Sequence, residues 1–249
     1  MVSLPTSPVD VPTVVRRLAG AASILLVWHN TLGGLTFRLA DGSGQDRFVR
    51  VSPPGSAPDL AGEVARLRWV ARWVAVPQVL DHGTTEDSWT WLLTAVVPGR
   101  SAVDPFWTAR PREAARGLGR ALRLLHDQVP VDGCPFEWSV ASRTGGRTGG
   151  RTPGHAGLLA TAPPVDRAVV CQGDACAPNT LLHDDSAPAG HVDLGRLGVG
   201  DRWADLAPAC WSADHNYGPG HADLVCAGYG VVPDRERLRW YLALWHAAD

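Results

Sequence analysis

The amino-acid sequence predicts an α+β fold of two lobes, an antiparallel sheet with one helix followed by a mainly helical part. Period-two apolar runs separated by glycine turns fill residues 23–51. Apolar residues then recur every three to four positions over residues 59–74, which is a helical repeat. We therefore expect an N-terminal lobe over residues 1–98 and a C-terminal lobe over residues 99–249.

In the first lobe, five short apolar runs are expected to form strands. They cover residues 23–28, 35–39, 47–51, 79–80 and 89–97. The turns between the first three contain Asn30–Gly34 and Asp41–Gly44, so these strands form an antiparallel meander. The helix of residues 59–74 has one apolar stripe and is expected to end before Pro77; the stripe consists of Leu60, Val64, Leu67, Ala71 and Val74.

In the second lobe, apolar spacing predicts helices over residues 112–125 and 234–247. Their inward faces are expected to carry Leu118, Leu122 and Leu125 in the first, and Leu238, Leu242 and Trp245 in the second. Short strands are expected over 165–170 and 180–182. The Arg-Thr-Gly-Gly repeat between Ser142 and Gly154 has almost no apolar content, so a flexible surface connector is expected there.

Composition excludes several classes of protein. With 249 residues, 45% of them hydrophobic, the chain is neither a disordered tail nor a small disulfide scaffold. A net charge of −2 provides no general attraction for nucleic acid or anionic membranes. The chain has five cysteines, and an odd number favours reduced thiols over a disulfide framework. No apolar run approaches the ~20 residues of a membrane span. No secretory signal is evident, so a cytoplasmic protein is expected.

Three polar residues follow the apolar strand that ends near Val170. Asp174 lies on the loop after that strand, and Asn179 comes five residues later. If the next hairpin turns near Ser186, Asn179 and Asp193 lie opposite each other across it. An amide oxygen and a carboxylate oxygen are hard ligands that suit Mg²⁺, and a nearby carboxylate can accept a proton from a hydroxyl group. These are the parts that phosphoryl transfer requires, although each residue alone is more simply a turn carboxylate or a cap.

These residues resemble a known family. The Asp174-x-x-x-x-Asn179 spacing, followed by Asp193-Leu194-Gly195-Arg196-Leu197-Gly198, is similar to the catalytic and metal loops of aminoglycoside 3′-phosphotransferases. The resemblance continues through Leu124–His126, Cys134–Phe136 and Asp201–Leu206, and covers nearly the whole chain. It implies a protein-kinase-like fold of two lobes with ATP between them, and transfer of the γ-phosphate to a hydroxyl of an aminoglycoside, which confers resistance.

The resemblance also implies roles for individual residues. Asp174 would be the catalytic base, and Asn179 and Asp193 would hold Mg²⁺. The remaining positions would bind ATP: Thr31, Gly33 and Gly34 over the phosphates, Arg50 at the α and β phosphates with Glu63 as its ionic partner, and the backbone of Ala95 and Val97 at adenine.

Two positions depart from the pattern of the family. The third strand carries Arg50 where the family has a lysine, and the whole chain contains no lysine. The guanidinium keeps the positive charge but spreads it over a planar fork. Gln172 stands where the family has a histidine two residues before the base. Glutamine there either loosens the loop or supports it through its amide, and the sequence leaves both outcomes open.

The acidic groups expected around a polycationic substrate are sparse. The Arg-Thr-Gly-Gly repeat replaces an acidic helical segment of the family. Asp214 and the terminal Asp249 are expected to supply part of the acidity, and Arg196 matches an arginine that orders the loop near the substrate. The expected partner is a small-molecule aminoglycoside, with no nucleic acid or membrane.

The cysteines and histidines allow other interpretations. Cys171, Cys176, His183 and His191 could form a zinc site, but their spacing favours buried thiols and surface histidines. His126 is expected to be a packed or capping group rather than a base for a cysteine nucleophile. The remaining alternative is an impaired kinase-like protein that binds nucleotide or drug without efficient turnover.

Overall fold

The computed structural model describes residues 9–29, 33–42, 44–54, 60–144 and 161–247. The chain forms two compact units, and a short segment of the first hundred residues belongs to the second. The first unit contains residues 1–72 and 76–97, and the second contains residues 73–75 and 98–249. No helix of the described residues is long and apolar enough to cross a membrane.

The first unit is an antiparallel sheet with helices, as predicted. Its elements are α1 (Thr13–Ala19), β1 (Ser23–His29), β2 (Leu35–Ala40), β3 (Arg47–Ser52), α2 (Leu60–Val70), β4 (Val79–Thr84) and β5 (Thr90–Ala95). The strand order is β1-β2-β3-β5-β4, so β3 is central. Alternate residues of β2 and β3, among them Phe37, Val49 and Val51, are buried, and Val15 of α1 packs with them. The sequence did not predict α1, because seven residues are too few to establish a helical repeat.

Helix α2 is shorter than predicted. Its buried face contains the predicted Leu60, Val64 and Leu67, together with Glu63. The helix ends at Val70, however, so the repeat that continues to Val74 lies outside it. Residues 73–75 belong to the second unit. Their apolar residues therefore continue the helical spacing in the sequence although the helix itself ends before them.

The second unit is mainly helical, as predicted. Its helices are α3 (Pro105–Thr108), α4 (Pro111–Gln128), α5 (Val140–Thr144), α6 (Trp203–Tyr217), α7 (Ala222–Tyr229) and α8 (Arg235–Ala247), with a 3₁₀ turn at Ala177–Asn179. Its strands are β6 (Arg100–Ser101), β7 (Ala168–Cys171), β8 (Thr180–Leu182), β9 (Pro188–His191) and β10 (Gly198–Asp201). They form a sheet in the order β6-β8-β9 and an antiparallel β7–β10 pair.

Helix α4 passes through the core of this unit. Its predicted leucine stripe is buried, with Leu125 fully inaccessible. A Cβ atom at Gly119 would lie 2.0 Å from the carbonyl oxygen of Val225, and one at Gly228 would lie 2.2 Å from that of Arg116. These two glycines therefore allow α4 and α7 to pack with their backbones in contact. The same packing buries His126 in the last turn of α4.

The inward face of α8 differs from the prediction. Trp240, Tyr241 and Leu244 are buried, whereas the predicted Leu238 and Leu242 are only partly buried. Helix α8 packs against α6 and α5, and the position of these neighbours, rather than the apolar spacing along α8, decides which face is covered.

The β8–β9 hairpin is present, but its register is one residue away from the prediction. Thr180 pairs with His191, and the register shifts between Leu181 and Leu182. The amide of Val192 donates to the carbonyl of Asn179 at 2.9 Å. Asn179 therefore lies opposite Val192 rather than Asp193. The reason is the position of the turn: the amide of His183 donates to the carbonyl of Ala187, so the turn is centred on Asp185 rather than near Ser186.

Candidate active site

The loop after β7 is held by close backbone contact with the loop after β9. Strand β7 ends in the buried residues Val169, Val170 and Cys171. Gly173 then adopts a φ of +93°, and a Cβ atom there would lie 2.1 Å from the carbonyl oxygen of Arg196. Only glycine fits both the left-handed backbone and this contact. The two loops are therefore locked together immediately before Asp174.

Below this loop lies a fully buried carboxylate. Asp205 of α6 accepts hydrogen bonds from the amides of Gln172 at 2.6 Å and Gly173 at 2.9 Å. Its Oδ2 atom also lies 2.9 Å from Nε2 of His126, whose Nδ1 lies 2.9 Å from the hydroxyl of Tyr229. Burial raises the pKa of Tyr229 to about 12, so this hydroxyl keeps its proton. His126 is thus a packed residue of the network that supports the loop, as expected.

Gln172 connects the two loops through its side chain. Its Oε1 atom accepts from the amide of Asp174 at 2.6 Å. Its Nε2 atom donates to the carbonyl oxygens of Val192 at 2.9 Å and Asp193 at 3.1 Å. The side chain is completely buried, so these bonds are protected from water. Of the two outcomes that the sequence left open, these contacts are those of a support.

The carboxylate of Asp174 has hydrogen-bond donors on both oxygens. Nδ2 of Asn179 lies 3.3 Å from Oδ2 and also donates to the Asp174 carbonyl at 2.9 Å. The indole Nε1 of Trp245 donates to Oδ1 at 3.1 Å, and Sγ of Cys176 lies 3.6 Å from the same oxygen. Donors on both oxygens hold the plane of the carboxylate in one orientation.

Asn179 and Asp193 have the chemistry of a magnesium site. Because Nδ2 of Asn179 faces Asp174, the amide oxygen is the atom that this residue can offer to a metal. Asp193 adopts a φ of +57°, a left-handed conformation that Asp tolerates better than most residues. Its carbonyl is fixed by Gln172 and its carboxylate is half-buried. One amide oxygen and one carboxylate are the donor set that Mg²⁺ uses beside phosphate oxygens and water.

In the first unit, Arg50 and Glu63 form the expected ion pair. Nη1 of Arg50, on the central strand β3, lies 2.8 Å from Oε2 of Glu63 on α2. Glu63 is 3% exposed, so the pair is shielded from water. Gly33 has a φ of +84°, while Gly34 leads into β2. Thr31 lies outside the described residues.

The N–H of Ala95, one of the backbone groups expected to contact adenine, is used within the fold. The amide of Ala95 donates to the carbonyl oxygen of Gln78 at 2.9 Å, so this N–H is not available to a ligand. The strand pairing of β5 with β4 consumes it, which spacing along the chain could not reveal. Val97 is buried at the end of the first unit.

The residues expected near the substrate differ in their surroundings. Arg196 is exposed, and its backbone touches Gly173. Oδ1 of Asp214 accepts from the amides of His221 at 2.8 Å and Ala222 at 2.9 Å, so it caps the start of α7. This oxygen serves the fold, which leaves Oδ2 as the atom that Asp214 can offer to a substrate. Asp249 lies outside the described residues.

The alternative zinc site is not assembled. Sγ of Cys171 contacts the carbonyl oxygen of Asp201 at 3.4 Å, and Nε2 of His191 lies 3.3 Å from that of Ala121. Burial raises the pKa of Cys171, so it stays a thiol. Across the part of the chain that the structure describes, no group of three or more His, Cys, Asp or Glu side chains could hold a metal ion.

The sequence missed two contacts of the site. The apolar spacing predicts that Trp245 is a core residue of the last helix, yet its indole reaches Asp174, 71 residues away in the chain. Trp138 was not singled out, yet its indole donates to the carbonyl oxygen of Gly173 at 3.3 Å. Neither belongs to a motif with known spacing, so no signal in a single sequence could have identified them.

The known proteins to which this chain is similar are phosphotransferases. The model of the phosphotransferase enzyme family (APH) matches residues 31–146 and 153–241. The chain is 34% identical over 220 residues to an aminoglycoside 3′-phosphotransferase of Streptomyces fradiae, covering 78% of this chain and 81% of the relative. It is 33% identical over 251 residues to a streptomycin 3″-kinase of Streptomyces griseus, covering 88% and 90%.

The fold is that of solved members of the same group. The aminoglycoside phosphotransferase APH(3″)-Id of Streptomyces rimosus superimposes with a TM-score of 0.73 at 30% identity, covering 93% of this chain and 95% of that one. The protein-kinase-like fold predicted from the sequence is therefore confirmed. With most of its length matched by the family model and two relatives above 30% identity, the chain belongs to the phosphotransferase enzyme family.

Proposed function

We propose that this protein transfers the γ-phosphate of ATP to a hydroxyl group of an aminoglycoside. The observation that carries the proposal is the Asp174 carboxylate, oriented by donors on both oxygens and contacted by Asn179. The relatives named above are aminoglycoside and streptomycin kinases, and APH(3″)-Id has been solved with ADP and streptomycin. Addition of a phosphate places about two negative charges on a polycationic drug, so we infer that the reaction confers resistance.

Asp174 acts as the base. A carboxylate offers about four lone-pair sites, so hydrogen bonds that hold it in place do not prevent it from accepting a proton. The attacking hydroxyl donates its proton to this carboxylate while its oxygen bonds to the γ-phosphorus, and the bond to the ADP oxygen breaks. The contacts from Trp245 and Asn179 hold the carboxylate in place before the acceptor arrives.

Asn179 and Asp193 would hold Mg²⁺, through the amide oxygen of the first and the carboxylate of the second. Bound there, the ion would supply neutralisation of the charge that develops on the phosphates. Gln172 keeps the two loops in register, because it accepts from the amide of Asp174 and donates to the carbonyl of Asp193.

Arg50 takes the place of the phosphate-binding lysine. Its guanidinium presents several N–H donors, so Glu63 can bind one edge while the other faces the phosphates. Gly33 and Gly34, together with Thr31, bind the phosphates. The backbone near Val97 and the carbonyl of Ala95 bind adenine. Arg196, Asp214 and Asp249 bind the aminoglycoside.

The first test is release of ADP from Mg-ATP in the presence of an aminoglycoside panel. Turnover that requires both drug and Asp174, with an Asp174→Asn variant as control, supports the proposal. Equal background release from wild type and variant, despite ATP binding, contradicts it. That result would favour the impaired, drug- or nucleotide-binding protein instead.

The hydroxyl that reacts is proposed to be the 3′ position, on the basis of the loop motifs. A kanamycin-type drug and its 3′-deoxy analogue differ only in that hydroxyl, so loss of turnover with the analogue supports the assignment. Turnover of the deoxy compound contradicts the 3′ assignment, and turnover of streptomycin alone contradicts it and favours a 3″ position.

A further inference from the structure

We propose that Trp245 is a positioning residue for the base Asp174. The inference rests on the proposed function, because it assigns the last helix a part in the same reaction. The single direct observation is the hydrogen bond from the indole Nε1 to Oδ1 of Asp174 at 3.1 Å.

The indole is held in place from its own side. Helix α8 is anchored in the core by Trp240, Tyr241 and Leu244, whose side chains are 5% exposed or less. The ring of Trp245 also packs on Trp211 of α6, with centroids 5.4 Å apart. A side chain with only two rotatable bonds, fixed at its helix and along its face, is a rigid donor.

The bond completes the restraint of the carboxylate. Asn179 contacts Oδ2 from the 3₁₀ turn, and Trp245 contacts Oδ1 from a helix in another part of the chain. On the Oδ1 side the only other contact described above is the weak sulfur donor of Cys176 at 3.6 Å, so loss of the indole weakens the restraint on the rotation about the Cβ–Cγ bond. Trp245 therefore holds the oxygens of the base in one orientation before the acceptor hydroxyl binds.

Two substitutions separate the hydrogen bond from the packing. Trp245→Phe keeps an aromatic ring on Trp211 and removes the N–H. Trp245→His loses the larger ring, but its Nε2–H falls where the indole Nε1–H lies, because both atoms are two bonds from Cγ in a five-membered ring. We expect kcat to fall about tenfold in Trp245→Phe, which corresponds to about 1.4 kcal/mol of activation free energy. We expect Trp245→His to stay within about threefold of wild type, with the KM values of both unchanged within about twofold.

The matched control is Trp203→Phe. The indole of Trp203 donates to Oδ2 of Asp166 at 2.7 Å, so this variant loses the same kind of bond without touching Asp174. We expect its kcat at a temperature below its unfolding transition to equal that of wild type. If Trp245 served packing alone, Trp245→Phe would be more active than Trp245→His, and that order would overturn the proposal.

A second measurement does not depend on turnover. The indole N–H signal of Trp245 is identified in a ¹⁵N spectrum as the signal that Trp245→Phe lacks. Replacement of Asp174 by Ala is expected to speed its hydrogen exchange at least tenfold, while the Trp203 indole keeps its rate. An unchanged Trp245 indole overturns the positioning role even if the enzyme is active. A changed indole in a protein without turnover supports the contact and contradicts the proposed function instead.

Discussion

Removal of the Gln172 side chain is expected to weaken both the fold and the reaction. The side chain forms three hydrogen bonds at 2.6, 2.9 and 3.1 Å and is fully buried. A buried hydrogen bond contributes about 1 kcal/mol net, so Gln172→Leu should lower the free energy of unfolding by about 3 kcal/mol. Because the same bonds hold the base loop against the metal loop, kcat should fall at least tenfold, as expected when reacting groups are misplaced.

Two further variants at position 172 test whether the lost hydrogen bonds cause the loss of stability. A neutral histidine has one donor and one acceptor, so Gln172→His can keep two of the three bonds and should cost about 1 kcal/mol. Gln172→Glu has nearly the same shape, but its carboxylate would face the carbonyl oxygens of Val192 and Asp193. A buried charge beside two acceptors is strongly unfavourable, so at pH 8 this variant should be less stable than Gln172→Leu.

The free energy of unfolding is measured by urea denaturation at pH 8, and kcat with saturating ATP and drug. The expected order of stability is wild type, Gln172→His, Gln172→Leu, Gln172→Glu. A Gln172→Leu variant within about 0.5 kcal/mol of wild type would refute the reasoning, since it would mean that the three bonds contribute almost nothing.

The other predictions concern Asp193, Gly173 and His191. Asp193→Gly should abolish Mg²⁺-dependent turnover yet stay within about 1 kcal/mol of wild-type stability, because glycine adopts the φ of +57° without strain. Asp193→Ala should be inactive and clearly less stable than Asp193→Gly in the same urea assay. Equal stabilities of the two variants would show that the backbone at residue 193 is not strained. Gly173→Ala would place a Cβ atom 2.1 Å from the carbonyl oxygen of Arg196, so the midpoint temperature of thermal unfolding should fall by several degrees and kcat should fall as well. An unchanged midpoint and kcat would show that the two loops can separate without cost. Burial lowers the pKa of His191 below 6.5, so the unfolded chain binds a proton there that the folded chain does not. The free energy of unfolding should therefore fall as the pH drops below about 7, by at most about 1.4 kcal/mol per pH unit from this group. His191→Leu should show a shallower fall. Parallel plots of unfolding free energy against pH for wild type and variant would exclude His191 as a cause of the pH dependence.

Local patterns determined much of the fold from the sequence alone. The leucine stripe of α4 and the alternation of β2 and β3 are repeats over a few residues, and such repeats reflect which side of an element meets the core. The spacing of Asp174, Asn179 and Asp193 was also sufficient to place a strand, a loop and a hairpin. The predicted hairpin register was wrong by one residue, because the turn is centred on Asp185 and the residue types of the turn do not distinguish that centre from Ser186.

The site itself was decided by contacts between distant parts of the chain. Three contacts depend on which elements become neighbours: Asp205 supports the loop, Asp214 caps α7, and the amide of Ala95 is already bonded. The same holds for Trp245, whose helix was predicted but whose contact with Asp174 was not. Periodicity records that a residue is covered, whereas the identity of the atoms that cover it follows only from the packing of the whole unit.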